Sequence, residues 1–117
     1  MELTDEIQSV LPLTETTYFI LLSLAPGPRH GYAIMKDVRQ LSHERVLLST
    51  GTLYSALKRL LDQGWIRRAG DPVGDRDGRG RKAYSLTQLG QQILEAEVQR
   101  LDSLVSAAQV RIQGKPA

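Results

Sequence analysis

Apolar residues recur along most of the chain at the three- and four-residue spacing of amphipathic helices. Two clusters of glycine and proline interrupt the pattern, Pro26 to Gly31 and Ala69 to Gly80. Ile7, Val10 and Leu11 fall on one side of a short leading helix over residues 4–11. Thr14 can cap a helix running to about Leu24, with Glu15 near its positive end, and Pro26, Gly27 and Pro28 stop it. The next helix starts near Gly31 and places Ile34, Val38 and Leu41 on one buried stripe. Ser49 as N-cap and Gly64 just past the end bracket a third, whose Leu53, Leu57, Leu60 and Leu61 face the core.

After Gly64 the pattern shortens. Trp65, Ile66 and the arginines that follow predict a strand, and Arg81 to Leu86 its partner, with Tyr84 and Leu86 on one face. Residues 70–80, with four glycines and Pro72, form the hairpin tip. Thr87 then caps a last helix reaching about Gln113. It carries Leu94, Val98, Leu101, Val105, Ala108 and Ile112 at alternating spacings of four and three, nearly three heptads of an uncharged seam. At ~1.5 Å per residue such a helix is roughly 40 Å long, more than a domain this small covers, so part of the seam is expected to face a second copy. The order predicts a mostly α fold with a small β-hairpin. It reads as a winged helix-turn-helix domain over residues 1–86, a C-terminal dimerisation helix over 87–113 and a disordered tail over 114–117.

Composition narrows the class. With 117 residues, 41% apolar and 24% charged, the chain is expected to be one folded domain. Its longest apolar run, Phe19 to Leu22, is too short for a bilayer, so no membrane association is expected. Glu2, Asp5 and Glu6 stand where a secretion signal would be positive. The lack of cysteine excludes disulfides and thiolate metal ligands and fits a reducing cytoplasm. His30 and His43, thirteen residues apart, have no carboxylate at ligand spacing, so neither a metal nor a cofactor is expected. Neither histidine belongs to a base–nucleophile arrangement, and no glycine-rich loop joins a strand to a helix, which argues against an enzyme.

The net charge of +2 is small, but its distribution is uneven. Residues 58–82 hold eight basic side chains (Lys58, Arg59, Arg67, Arg68, Arg76, Arg79, Arg81, Lys82) against Asp62, Asp71, Asp75 and Asp77. That segment is +4 and the remainder −2, the footprint of a surface that meets a phosphate backbone, although a solvated, charge-mixed loop has the same composition. If the leucine stripe buries the third helix, its opposite side presents Thr50, Thr52, Ser55, Lys58 and Arg59, with Tyr54 at the edge. Gly51 permits close backbone approach, and the free N–H groups of the first turn bind anions. An α-helix fits the major groove and a basic hairpin can follow the adjoining backbone.

The segment Gly51-Thr52-Leu53-Tyr54-Ser55-Ala56-Leu57-Lys58-Arg59-Leu60, then Gly64-Trp65-Ile66, then Arg81-Lys82-Ala83-Tyr84-Ser85-Leu86-Thr87-Gln88-Leu89-Gly90 resemble the PadR-like transcriptional regulators. His30-Gly31-Tyr32-Ala33-Ile34 and Thr16-Thr17-Tyr18-Phe19-Ile20-Leu21-Leu22 resemble that family's first two helices, and the likeness runs over about residues 12–110. Ala83 departs from the aromatic residue common before Tyr84, and the tip is longer and more acidic than expected. The resemblance implies a homodimer that binds an inverted repeat in double-stranded DNA near a promoter, usually as a repressor, often released by a small effector. It implies DNA-facing residues Thr50, Thr52, Tyr54, Ser55 and Lys58 in the recognition helix. In the wing it implies Arg79, Arg81 and Lys82, with a phosphate contact around His30 and Tyr32.

Single positions remain double-valued at this level. Tyr54 either packs on the second helix or donates its hydroxyl to a phosphate. Trp65 follows a helix-ending glycine and is expected to cover the core rather than stack on a base. Arg67 and Arg68 alternate along a strand, so one of them faces the DNA side. The competing function is a winged helix used as a protein–protein adaptor, which predicts an apolar outer face on the third helix where this sequence has hydroxyls and Lys58.

Overall fold

The computed structural model describes residues 3–70 and 82–114. Thr14 accepts a hydrogen bond from Thr17 N at 3.1 Å and opens α2 (Glu15–Leu24), which follows a short α1 (Leu3–Ser9). After the proline-glycine break come β1 (Arg29–His30) and α3 (Gly31–Leu41). Ser49 caps α4 (Thr50–Gln63) by accepting from Thr52 N at 3.1 Å, and Gly64 ends it at φ 79°, a left-handed conformation natural to glycine. Then follow β2 (Ile66–Ala69), β3 (Ala83–Leu86) and α5 (Gln88–Gln113), the last capped by Thr87. The hairpin tip expected between the strands, and the tail from residue 115, lie outside the described residues.

The core is built from the predicted stripes of α3 and α4 together with one face of α2. Ile20, Leu21 and Leu24 of α2, Ile34 and Val38 of α3, and Leu53, Leu57 and Leu60 of α4 are all buried. At about 1.5–3 kcal/mol for each buried aliphatic side chain, these stripes are what hold the three helices together. Trp65, Ile66, Tyr84, Ile93 and Leu94 close the core from the sheet and the start of α5, and Ile7 of α1 joins them. Trp65 therefore covers the core as expected.

Three sequence-based expectations change. The hairpin is a three-stranded antiparallel sheet in the order β1-β3-β2, because Arg29 and His30 pair with Tyr84 and Ala83 on the free edge of β3. A two-residue strand carries no periodicity, so its pairing is invisible until β3 is in place. β3 is paired along both edges, and Ala83, Tyr84 and Ser85 are all buried rather than alternating. Leu41 leaves the α3 stripe: it is 38% exposed, and Ser42 is buried in its stead. The Ser42 hydroxyl accepts from Val46 N at 2.9 Å, holding the turn in which His43 and Glu44 adopt positive φ.

Candidate nucleic-acid interface

Because α4 buries Leu53, Ala56, Leu57 and Leu60, its other side is solvent-facing by helical geometry, and Thr50, Gly51, Thr52, Ser55 and Lys58 are exposed there. The Ser49 hydroxyl donates to Thr52 Oγ1 at 2.9 Å while accepting from Thr52 N, which fixes the first turn. The remaining first-turn N–H groups, those of Thr50 and Gly51, have no carbonyl ahead of them in the helix and point outward. Nothing lies within 4 Å of where a Gly51 Cβ would stand, so a ligand can approach that backbone directly. Lys58 reaches Asp62 at 3.3 Å across one turn, with both side chains well exposed. An exposed pair of this kind contributes at most about 1 kcal/mol and yields readily to a phosphate.

Arg59 is exposed as expected, but its guanidinium reaches back to donate to Thr17 Oγ1 of α2 at 3.0 Å. Tyr54 is 41% exposed, and its ring and hydroxyl lie against Gly31 at the start of α3, where an added methyl group would collide with them. Gly31 is thus required by close approach, and the packing role of Tyr54 is real. Beside it, burial raises the Tyr84 phenol above its ordinary value, with Arg68 opposing that rise and Tyr54 adding to it. The Arg68 guanidinium sits 5.9 Å from the Tyr84 ring centre, while Arg67 pairs with Ser85 one residue along; both arginines are exposed.

Around this helix, Tyr32 is 68% exposed one residue into α3, with Lys36 Nζ 5.7 Å from its ring centre. His30 is half-buried in β1, opposite Ala83. Lys82, just before β3, is exposed. Arg79 and Arg81 lie outside the described residues. The exposed hydroxyls, the helix N-terminus and Lys58 thus share the outer side of α4, and Lys82 is exposed separately just before β3. Among the described residues, no three of His, Asp and Glu come together to hold a metal ion.

Along α5 the seam residues divide. Leu94 is buried in the domain's own core, Leu101 is half-buried, and Val98, Val105, Ala108 and Ile112 are exposed. Sequence reasoning missed Glu97, which is 2% exposed. Its carboxylate accepts from Arg100 Nε at 2.5 Å and Nη2 at 3.0 Å, and from Leu13 N at 2.9 Å. The Arg100 hydrogen bonds, assisted by the Leu13 N–H and outweighing desolvation, hold its carboxyl below the usual carboxylate range. The i,i+3 spacing of Glu97 and Arg100 was legible, but Leu13 lies 84 residues away and nothing local announces it.

The family model of the PadR-like transcriptional regulators matches residues 20–96, from the middle of α2 into α5. The chain belongs to the PadR-like family of transcriptional regulators. The PadR-like family consists of regulators, not enzymes. Among solved structures, the chain is similar to Bacillus subtilis PadR in complex with operator DNA, at 28% identity and TM-score 0.62, covering 74% of this chain and 47% of that one. It is also similar to a PadR family regulator from Clostridium difficile R20291, at 27% identity and TM-score 0.66, over 86% and 99% of the two chains. A curated relative, an uncharacterized 37.1 kDa protein in transposon TN4556 of Streptomyces fradiae, is 39% identical over 85 residues. This PadR-like chain spans 22% of that relative's length.

Proposed function

We propose that the chain binds double-stranded DNA sequence-specifically as a homodimer in the cytoplasm and represses transcription from an inverted repeat. The observation that carries this reading is the exposed N-terminal face of α4. It offers two threonine hydroxyls, Ser55, Lys58 and an open Gly51 on a helix whose other side is fixed by buried leucines. Thr50, Thr52, Ser55 and Lys58 read the major groove, and the Tyr54 hydroxyl, at the edge, reaches a phosphate. Lys82, with Arg79 and Arg81, follows the neighbouring backbone, and Tyr32 and His30 contribute at the start of α3. The operator complex of the Bacillus subtilis relative supports the reading by similarity.

The exposed residues Val98, Val105, Ala108 and Ile112, with the half-buried Leu101, join two copies. Leu94 serves that seam from within the core, by fixing the root of α5. Release by a small effector fits the groove of ≈ 730 Å³ between α1 and α5, lined by Ile7, Leu94, Ala96 and Val98 among others. No described helix is long and apolar enough to cross a membrane. Selection from a random-sequence duplex pool tests the reading: it predicts enrichment of an inverted repeat, with half-sites ~34 Å or a multiple apart. A pool that stays random after repeated rounds would sink it and favour the adaptor role.

A further inference from the structure

The end of the recognition helix and the beginning of α5 are joined directly. The Thr87 hydroxyl donates to the carbonyl of Gly64, the residue that terminates α4, at 2.6 Å. Thr87 N donates to the Trp65 carbonyl at 3.1 Å. The same Thr87 hydroxyl oxygen accepts from Gly90 N at 3.0 Å and so caps α5. Gly90 itself rests on the Trp65 carbonyl so closely that a Cβ there would strike the backbone. One threonine therefore ties the residue that caps α4 to the first turn of α5.

A second anchor lies ten residues along α5, about 15 Å by helical rise. There Glu97 accepts from Leu13 N at 2.9 Å, immediately before α2, and Arg100 holds both carboxylate oxygens. Glu97 is essentially sealed from solvent at 2% exposure. Ile93 and Leu94, buried between the two anchors, hold the root of the helix by apolar contact, which is not directional. Two anchors separated along its length fix the direction of its axis relative to α4. Beyond the second, Val98 to Gln113 extends about 24 Å as a lever. A tilt of roughly 10° would carry the far end about 4 Å, more than the ~3.4 Å between successive bases of a strand.

We propose that Thr87 and Glu97 are positioning residues that set which half-site spacing the dimer accepts, without themselves touching DNA. The proposal rests on the homodimeric DNA-binding reading above. In it, the surface of α4 recognises each half-site, and the two anchors decide how far apart two such surfaces stand. Loosening either anchor leaves half-site recognition intact and removes the penalty for wrong spacing.

The test uses the full chain and a random-sequence duplex pool, from which wild type and variants each select binders. Thr87→Val removes the hydroxyl at nearly constant volume, Glu97→Gln independently weakens the second anchor, and Thr87→Ser restores the hydroxyl. Wild type is expected to enrich one spacer length and to discriminate about tenfold or more against a spacer one base pair longer or shorter, comparable to a mismatched base pair. The two loosened variants, folded by thermal melting and dimeric by sedimentation, are expected to enrich the same half-sites over several spacers, with discrimination below about threefold. Thr87→Ser is expected to return the single spacer.

A single unchanged spacer in both folded, dimeric loosened variants would overturn the proposal while leaving DNA binding intact. Variants that dissociate into monomers would also overturn it, because the anchors would then serve association. If one substitution prevents folding, the other still decides, since each acts at its own end of the joint. A wild-type pool without an inverted repeat overturns the functional reading, and this proposal with it.

Discussion

At the residue scale, the surface of α4 separates side chains that hold the fold from those free to act. Arg59 is engaged with α2, and Tyr54 packs on α3 while keeping an exposed edge, whereas Lys58 and Gly51 contribute almost nothing to packing. Lys58→Ala is therefore expected to melt within about 0.5 kcal/mol of wild type. It should weaken binding to all duplexes and reduce the salt slope by about one; an unchanged slope would remove Lys58 from the contact surface. Gly51→Ala separates stability from function more sharply. Alanine at this open helical position should stabilise the fold by up to about 1 kcal/mol. If a phosphate approaches the Gly51 backbone, the added methyl group weakens duplex binding despite the more stable fold. A variant both more stable and undiminished in affinity would show that no DNA comes that close.

At the element scale, helix caps and stripes were legible because their causes are local. Thr14, Ser49 and Thr87 each sit at an N-cap, Gly64 ends α4 as read, and Leu53, Leu57 and Leu60 are buried at helical spacing with Leu61 partly buried. What escaped notice depended on distant partners. β1 exists only because β3 lies beside it, and buried Glu97 finds one of its partners in Leu13, 84 residues away.

Glu97 gives the element scale its own prediction. Its carboxyl lies below the ordinary value, so the folded state favours the charged form. The stability this supplies is present above the unfolded value of about 4.5 and disappears as pH falls through the lower folded value. Glu97→Gln should cost about 1–2 kcal/mol at neutral pH, a figure reduced because Arg100 is a third exposed and can be hydrated. The variant should also lose less stability between pH 5 and 3 than wild type does, by thermal melts. Parallel acid limbs would contradict the assignment of that proton to Glu97.

At the scale of the whole molecule, the chain measures 59 × 38 × 23 Å, the long dimension being more than a domain core of this size requires. The alternating spacing along α5 was legible, but not how the seam would be divided between the domain and the solvent. Ile93 and Leu94 enter the core because α5 starts against the sheet at Gly90, while Val105 and Ile112 stand 53% and 81% exposed. Replacing Leu101 and Val105 together by glutamate should place like charges across the seam. The expected result is a monomer by sedimentation, with operator affinity lower by roughly a hundredfold as the second half-site is lost. A persistent dimer would place the interface elsewhere.

The proposed DNA-binding function requires that the polar face of α4 and the basic residues beside the sheet meet a phosphate backbone. Equilibrium titration of a labelled duplex with the full chain, at salt from about 50 to 200 mM, tests it most directly. Log affinity should fall linearly with log salt, by roughly 10³–10⁵ over that range if a dimer neutralises about 6–10 phosphates. An affinity that changes by no more than a few-fold would show that few phosphates are met and leave α4 as a surface for something other than DNA.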